Sequence, residues 1–508
     1  MNFNPFVCMK LKCLYCCLSF MMIGLAMLRL TNMAPWVDEV MFIDTPMHFI
    51  NGKGWTTYAW YSVAKQTPFL LYPPLYSMMM VLWMKAFGTT LIACRSLNLI
   101  VTMLIGVGVL RICRQLGLKM SLIQIGILVV LLWCTDDMMY MYANGRPDLL
   151  GAAILIYAIS EMICLNHKKK GWSLILLTAL LFMSGIQSAV YLYILLLLAY
   201  LTLKDYRDVI KRITAFSAFG TFLGFLLVCA FMAYHDHLIA FVVNMLSYSN
   251  TLMNLAMIIL PILADSFGID VTLYIEKIAN NTTDVPFYSR ILTIYTHPAY
   301  VTLLVVALFV FLSEYRSIKV SSLYVMMRLL FVIVLSIPFL MNLAGRFPDY
   351  YYWMVYIPLF LLVVIMAGIT NKHRCIIIGL ISMSLSIKGL VFTSLQNNYS
   401  MVETFLSKCT MLRDKNIVAP FSVFYDMEKL GCNTYYLGVY PSHYLPNDIE
   451  YVILPQKDSD YGANRLYDYC DSINESDSLQ TVMVATNKIV GLKVVKVIKK
   501  LQNSDDNS

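Results

Sequence analysis

The chain alternates long apolar runs with short polar loops. Continuous apolar segments fall near residues 13–30, 91–110, 120–135, 149–166, 172–185, 188–203, 213–233, 299–313, 320–342, 352–370 and 375–393. Each approaches the ~20 residues an α-helix needs to cross ~30 Å of hydrocarbon. Strands of an outer-membrane barrel would instead alternate over ~10-residue segments. The pattern predicts an all-α polytopic membrane protein with about eleven transmembrane helices. A further apolar stretch, Pro74–Gly88, is shorter and carries Lys85 near its end. It reads as a helix lying flat at the outer interface. After residue 393 the pattern changes. Short runs at Ser422–Tyr425, Tyr435–Tyr440, Tyr451–Leu454, Thr481–Ala485 and Leu492–Ile498 stand between turn-rich segments. The V-V-K-V-I stretch has period two, which predicts strand. The expected organisation is a transmembrane domain over 1–393 and a small C-terminal α/β domain over 394–508 on the outer face, with a disordered tail from about Asn503.

Charge fixes the orientation. Six alternate loops (1–12, 111–119, 167–171, 204–212, 314–319 and 371–374) hold 16 Lys and Arg, whereas the opposite loops hold 7 in far more sequence. Excess Lys/Arg marks the cytoplasmic side. The N-terminus is therefore inside and the C-terminus outside. The asymmetry survives only if Pro74–Gly88 does not cross and if 172–203 is a hairpin turning near Gly185–Ser188. Two outer loops, 31–90 and 234–298, are long, and Leu252–Leu263 in the second is expected to hold interfacial helices.

Composition narrows the class. Hydrophobic residues make up 59% of the 508 and charged residues 13%, against roughly 45–50% and ~25% for a soluble chain. A soluble domain and a disordered chain are both excluded. The net charge of +8 is scattered over small clusters, none longer than Lys168–Lys170, so it implies no nucleic-acid partner. Most of the 13 cysteines lie in or beside apolar runs. Three in the last domain, Cys409, Cys432 and Cys470, establish no disulfide framework, and no paired C-x-x-C suggests a zinc ribbon.

The unusual polar residues collect on the outer face. Asp38 and Glu39 follow the first span in A-P-W-V-D-E-V. A carboxylate there is costly if desolvated, yet Pro35 and two acids also suit a solvated helix start. The second outer loop ends N-G-R-P-D, setting Arg146 and Asp148 just before a span; an interfacial cap and a site residue both fit. The fifth reads A-G-R-F-P-D-Y-Y-Y-W. Its aromatics suit an interfacial belt, and Arg346 could grip a phosphate bidentately. Trp36, Trp55 and Trp60 could stack on a sugar or anchor the interface. His235-x-His237 would suit a metal only if the side chains converge.

Taken together, this order resembles the polyprenol-phosphate-dependent GT-C glycosyltransferases, specifically the protein O-mannosyltransferase and aminoarabinose transferase superfamily. The carriers are Asp38-Glu39, Pro73-Pro74-Leu75, Lys85-Ala86-Phe87-Gly88, then Ala93, Arg95 and Asn98, then Asp148, and later Arg346, Tyr350 and Pro358. The resemblance covers about 1–370. One departure stands before the Pro-Pro pair, where the aminoarabinose branch often carries Lys and this chain has Tyr72. The resemblance implies inverting transfer of a monosaccharide from a polyprenyl-phosphate donor to a glycan, lipid or protein acceptor at the outer face. Asp38 would be the general base. Arg346 would stabilise the leaving phosphate, with Arg146 and Arg95 behind it, and Glu39 and Tyr350 would line the substrate site. Asp148 would orient Asp38 or the acceptor, or join Asp38 on a divalent cation, Mg²⁺ or Mn²⁺; no other cofactor is expected. Asp38, Asp148 and Arg346 are expected in one cavity, from which an apolar groove opens for the lipid tail. The expected location is a bacterial inner membrane with the site facing the periplasm. Two rivals share this topology. A flippase for lipid-linked saccharides would show paired charges inside spans and internal repeats. Arg328 and Glu161 are the inner charges besides Arg95, and no repeat is evident. The other rival is a non-catalytic membrane scaffold.

Overall fold

The computed structural model describes residues 5–31, 33–59, 72–118, 120–165, 171–247, 292–318, 322–344, 351–370, 372–394, 399–437, 445–455, 463–476, 478–485 and 491–498. Every one of the eleven apolar runs contains a helix. The order begins α1 (Pro5–Leu30), α2 (Val37–Ile50), α3 (Leu75–Phe87), α4 (Leu91–Gln115), α5 (Leu122–Cys134), α6 (Asp136–Ala143), α7 (Asp148–Leu165) and α8 (Trp172–Ser184). It continues α9 (Ile186–Thr202), α10 (Arg207–Tyr234), α11 (Leu238–Ser247), α12 (Pro298–Ile318), α13 (Ser322–Ala344), α14 (Trp353–Ile369) and α15 (Lys372–Ser394). Five helical stretches among the described residues are long and apolar enough to cross a membrane: Leu91–Gln115, Asp148–Leu165, Lys204–Tyr234, Pro298–Tyr315 and Leu323–Asn342. α5 and α6 pass the same test as a pair bent by 58°. The protein is an integral, multi-pass membrane protein. The expected apolar stretch Pro74–Gly88 forms α3, whose Leu82 and Phe87 are exposed. Leu252–Leu263 and the tail from Asn503 lie outside the described residues.

The chain divides into two compact units. The first comprises Met1–Ala26, Leu70–Tyr76 and Ser96–Thr393. At its centre is α14, in which every residue from Trp353 to Ala367 except Pro358 is buried. A helix apolar on all sides belongs in such a position. Gln124 in the capping box that starts α5 donates to the Val364 carbonyl of α14 at 3.1 Å. α8 and α10 approach backbone to backbone through Gly220 and Gly224. A Cβ at Gly224 would lie 2.5 Å from the Ala179 carbonyl oxygen, and one at Gly220 would lie 2.3 Å from that of Ile175. This small-xxx-small spacing is how helices pack closely where lipid removes the hydrophobic drive between them. The other side of α10 exposes Phe219, Phe222, Leu223, Leu226 and Leu227, a face suited to hydrocarbon. α8 and α9 are parted only by Gly185, the expected turn of the hairpin.

The second unit comprises Met27–Phe69, Ser77–Arg95 and Ser394–Ser508. It contains α16 (Tyr399–Leu406), α17 (Phe424–Lys429), α18 (Ala463–Ser476) and strands β1 (Asn416–Val418), β2 (Asn433–Tyr435), β3 (Tyr451–Leu454), β4 (Ser478–Val484) and β5 (Lys493–Ile498). The sheet order is β2-β1-β3-β5-β4. β1 pairs parallel with β2 and β3, while β5 pairs antiparallel with β3 and β4. Val418, Val452, Leu454, Leu466, Cys470 and Val495 form its core, with Tyr58 of the first long loop packed against them. Two expected strands are corrected: the run expected over Tyr435–Tyr440 is strand only at Tyr435, where β2 ends, with 438–440 outside the described residues, and Ser422–Tyr425 is a 3-10 turn running into α17. Pro420 starts that turn, and four apolar residues cannot by themselves distinguish strand from helix. There Phe424 packs on Tyr436, ring centroids 5.9 Å apart.

Candidate active site

In the second unit the turn from α1 into α2 is held by one arginine. Arg95 is fully buried and donates from Nε and Nη2 to the two carboxylate oxygens of Glu39 at 2.7 and 2.6 Å. Its Nη1 donates to the carbonyls of Leu30 and Met33 at 2.7 and 2.8 Å, and Nη2 also reaches Ala34 at 3.2 Å. The guanidinium therefore caps the carbonyl end of α1, where the helix dipole is negative, and holds Glu39 in the fork geometry arginine favours. Tyr425 adds a hydroxyl to Glu39 Oε1 at 3.1 Å; burial and the Glu39 charge push that phenol well above its ordinary pKa. Asp38 occupies the first turn of α2 beside Glu39 and is half-buried. Trp55 is buried edge-to-face against Phe49, and Trp60 lies outside the described residues.

In the first unit a separate cluster surrounds Asp148, the first residue of α7. Arg146 Nε donates to Asp148 Oδ2 at 2.8 Å, and the Tyr72 hydroxyl donates to Oδ1 at 3.0 Å. Arg146 Nη2 reaches the Tyr72 oxygen at 3.3 Å, and Tyr72 meets the Tyr351 hydroxyl at 2.8 Å. Arg146, Asp148 and Tyr72 are all buried. Asn98 of α4 fixes the loop, donating to the carbonyls of Asn144 and Arg146 at 2.6 and 2.9 Å. Asn98 thus sets the backbone that carries Arg146. Both oxygens of Asp148 are matched to a cation and a hydroxyl, so it does not fit a divalent ion in this arrangement. His297 does not join His235 or His237. Its Nδ1 shares a hydrogen bond with the Tyr356 hydroxyl at 2.8 Å, and its Nε2 lies 3.8 Å from Asp137. Glu161 pairs with Arg111 and accepts from Ser173. Arg346 and Tyr350 lie outside the described residues.

In the same unit α4, α7, α9, α10, α13 and α14 line a partly open apolar cavity of about 490 Å³. Leu, Ile, Val and Met side chains dominate its wall, and Trp353 and Tyr191 contribute rings. Trp353 is two residues from Tyr351, so the chain that lines the cavity also reaches the Asp148 cluster.

No protein-family model matches the chain, and no curated protein matches it in sequence. Solved structures do match. ArnT from Cupriavidus metallidurans bound to undecaprenyl phosphate superposes with a TM-score of 0.58, and its apo state with 0.59, each covering 95% of this chain and 97% of the other. The fold is that of these ArnT structures. Identity to both is 10%, so the likeness is one of fold. Archaeal oligosaccharyltransferase AglB from Archaeoglobus fulgidus, in complex with an inhibitory peptide and a dolichol-phosphate, gives a TM-score of 0.51 at 10% identity, over 100% of this chain and 76% of that one. In the sequence Tyr72 stands out only as a departure, and Tyr351 only as part of an aromatic run. Their hydroxyls meeting at Asp148 depends on contacts between residues far apart in the chain.

Proposed function

We propose that the protein is a membrane glycosyltransferase that moves a monosaccharide from a polyprenyl-phosphate donor to an acceptor at the outer face, with inversion. The observation that carries this reading is the pairing, within the first unit, of an apolar cavity with the Tyr72–Arg146–Asp148 cluster two residues along the chain from its wall. The cavity takes the polyprenyl tail, where each buried methylene is worth ~0.8 kcal/mol. Asp148 and Tyr72 hold the Arg146 fork in one orientation, and Arg146 meets the donor phosphate, stabilising the charge that grows as the sugar leaves. Asp38 takes the proton of the attacking acceptor hydroxyl. Arg95 and Glu39 brace the turn that presents Asp38 and do not contact donor. Arg346 and Tyr350 keep the donor-binding roles that the sequence resemblance implies. No step is routed through a metal on Asp148. The likeness to ArnT bound to undecaprenyl phosphate supports the lipid-linked donor. The sequence expectation of a bacterial inner membrane, with the site facing the periplasm, is kept as part of this reading.

The test is purified protein with undecaprenyl phosphate, combined with mass spectrometry of envelope glycans from cells with and without the protein. The expected result is saturable lipid binding and loss of one sugar substituent in its absence. Asp38→Asn should retain lipid binding and lose turnover. Unchanged glycans in cells lacking the protein, or full turnover in Asp38→Asn, overturns the reading in favour of a scaffold or a flippase.

A further inference from the structure

The second unit holds a buried cluster that the transfer chemistry does not use. Asp44 and His48 stand four residues apart on α2, so both point from one face of the helix. Both are almost wholly buried, and His48 Nε2 lies 3.5 Å from Asp44 Oδ1. The other Asp44 oxygen is occupied: Thr57 donates its hydroxyl at 2.5 Å, and the backbone N–H groups of Tyr58 and Ala59 donate at 2.7 and 3.0 Å. The other histidine nitrogen is occupied too. Nδ1 lies 3.0 Å from Thr56 Oγ1, whose own proton goes to the Lys53 carbonyl at 3.1 Å. Thr56 is therefore the acceptor, and Nδ1 carries the histidine proton. That leaves a bare lone pair on Nε2, buried and without a hydrogen-bond partner, facing a carboxylate oxygen. Two facing lone pairs repel unless a cation sits between them.

Glu428 of α17 closes the group. One ligand atom each from Asp44, His48 and Glu428 lies within 4.8 Å of the others. Ligands ~2.05 Å from a tetrahedral Zn²⁺ are ~3.4 Å apart, close to the Asp44–His48 separation. Burial keeps His48 below its ordinary pKa, in the neutral form a metal needs. The Tyr436 hydroxyl is buried beside Thr434, and the charges of Glu428 and Asp44 both act on it. It suits a water in the fourth ligand position. An unpaired buried polar atom such as His48 Nε2 calls for an ion or water.

We propose that Asp44, His48 and Glu428 form a metal site for a divalent cation of the Zn²⁺ or Mn²⁺ type, closed by a water beside Tyr436. One imidazole and two carboxylates suit these ions better than Ca²⁺, which takes oxygen ligands only. The Nδ1–Thr56 hydrogen bond is the outer contact that fixes the ligating tautomer. The ion staples α2, which carries Asp38 in its first turn, to α17.

The test uses full-length protein in detergent, stripped with chelator, dialysed and titrated with ZnCl₂, MnCl₂ or MgCl₂. Metal content is read by mass spectrometry and unfolding by intrinsic fluorescence. About one Zn²⁺ per chain and a higher unfolding temperature are expected, with Mg²⁺ giving neither. His48→Gln and Glu428→Gln should each lose the bound ion, and His237→Ala should keep it. Thr56→Val should weaken binding ~10–100-fold, the usual cost of an outer partner. Co²⁺ added to the stripped wild type should give visible absorption bands of a tetrahedral site, absent in Glu428→Gln. Folded wild type that binds no Zn²⁺, or Zn²⁺ retained in full by both ligand variants, overturns the proposal.

Discussion

Replacing Arg95 with Met distinguishes a brace from a donor-binding residue. The substitution keeps the stem and deletes the guanidinium, which makes five contacts, all to the protein itself: two to Glu39 and three to the carbonyls of Leu30, Met33 and Ala34. Breaking a buried pair by removing one partner costs ~3–5 kcal/mol, because the remaining charge is left in a dry site. Here that charge is Glu39, which keeps only the Tyr425 hydroxyl. The expected loss is therefore at least ~3–5 kcal/mol, or roughly 6–10 °C in unfolding temperature at ~2 °C per kcal/mol. Glu39→Met should cost less, since Arg95 retains its three carbonyl acceptors. The double variant should fall short of the sum of the single losses by ~2 kcal/mol or more, the mark of a direct pair. Thermal unfolding in detergent for the four proteins of this cycle reads all of this, and lipid binding is read on the same samples. If Arg95→Met unfolds like the wild type while undecaprenyl phosphate binding falls, Arg95 belongs to the donor site and the brace is refuted.

Tyr72→Phe deletes one hydrogen bond to a charged carboxylate, worth ~1.5–3 kcal/mol; the unfolding temperature should fall by roughly 3–6 °C and turnover in the protein that remains folded by ~10-fold or more, and unchanged turnover removes the cluster from the site. Gly224→Ala drives a methyl to 2.5 Å from the Ala179 carbonyl and should cost ~1–3 kcal/mol by overpacking, whereas Gly126→Ala, with nothing within 4 Å, should be neutral or stabilising; equal unfolding temperatures would refute the close α8–α10 packing. Leu330→Trp adds a ring to the apolar cavity wall and should weaken undecaprenyl phosphate binding at least ~10-fold, so wild-type affinity in that variant would place the lipid tail elsewhere.

The apolar helices are legible because runs of this length need no long-range information, and all eleven runs contain helices. Smaller elements were not. β1 has three residues, too few to show a period, and it forms because β2 and β3 flank it. α6 follows a sharp bend at Thr135, a break that a polar loop of the same length resembles. Tyr451–Leu454 was read residue for residue because four β-favouring residues stand between turns. The same logic failed at Ser422–Tyr425, where a proline set the chain into a helical turn.

The site residues show a similar division between type and use. Asp38, Glu39, Arg95, Arg146 and Asp148 stood out because ionisable groups are rare at the edge of apolar runs. What each one faces was hidden, since Arg95 lies many residues from the α1 carbonyls it caps. Asp44 and His48 had a readable i,i+4 spacing, but without the distant Glu428 and the orphaned Nε2 that spacing signals nothing. Tyr72 is the most instructive case. The aminoarabinose branch that the sequence resembles often carries a lysine there, which beside Asp148 and Arg146 would make two cations to one carboxylate. Tyrosine supplies a neutral hydroxyl to Asp148 Oδ1 while Arg146 holds Oδ2, so among the described residues Asp148 is paired with one cation. Under the proposed function a donor phosphate meets its positive charge in Arg146, and this is why Tyr72→Phe should alter the orientation of Arg146 while leaving the site's charge as it was.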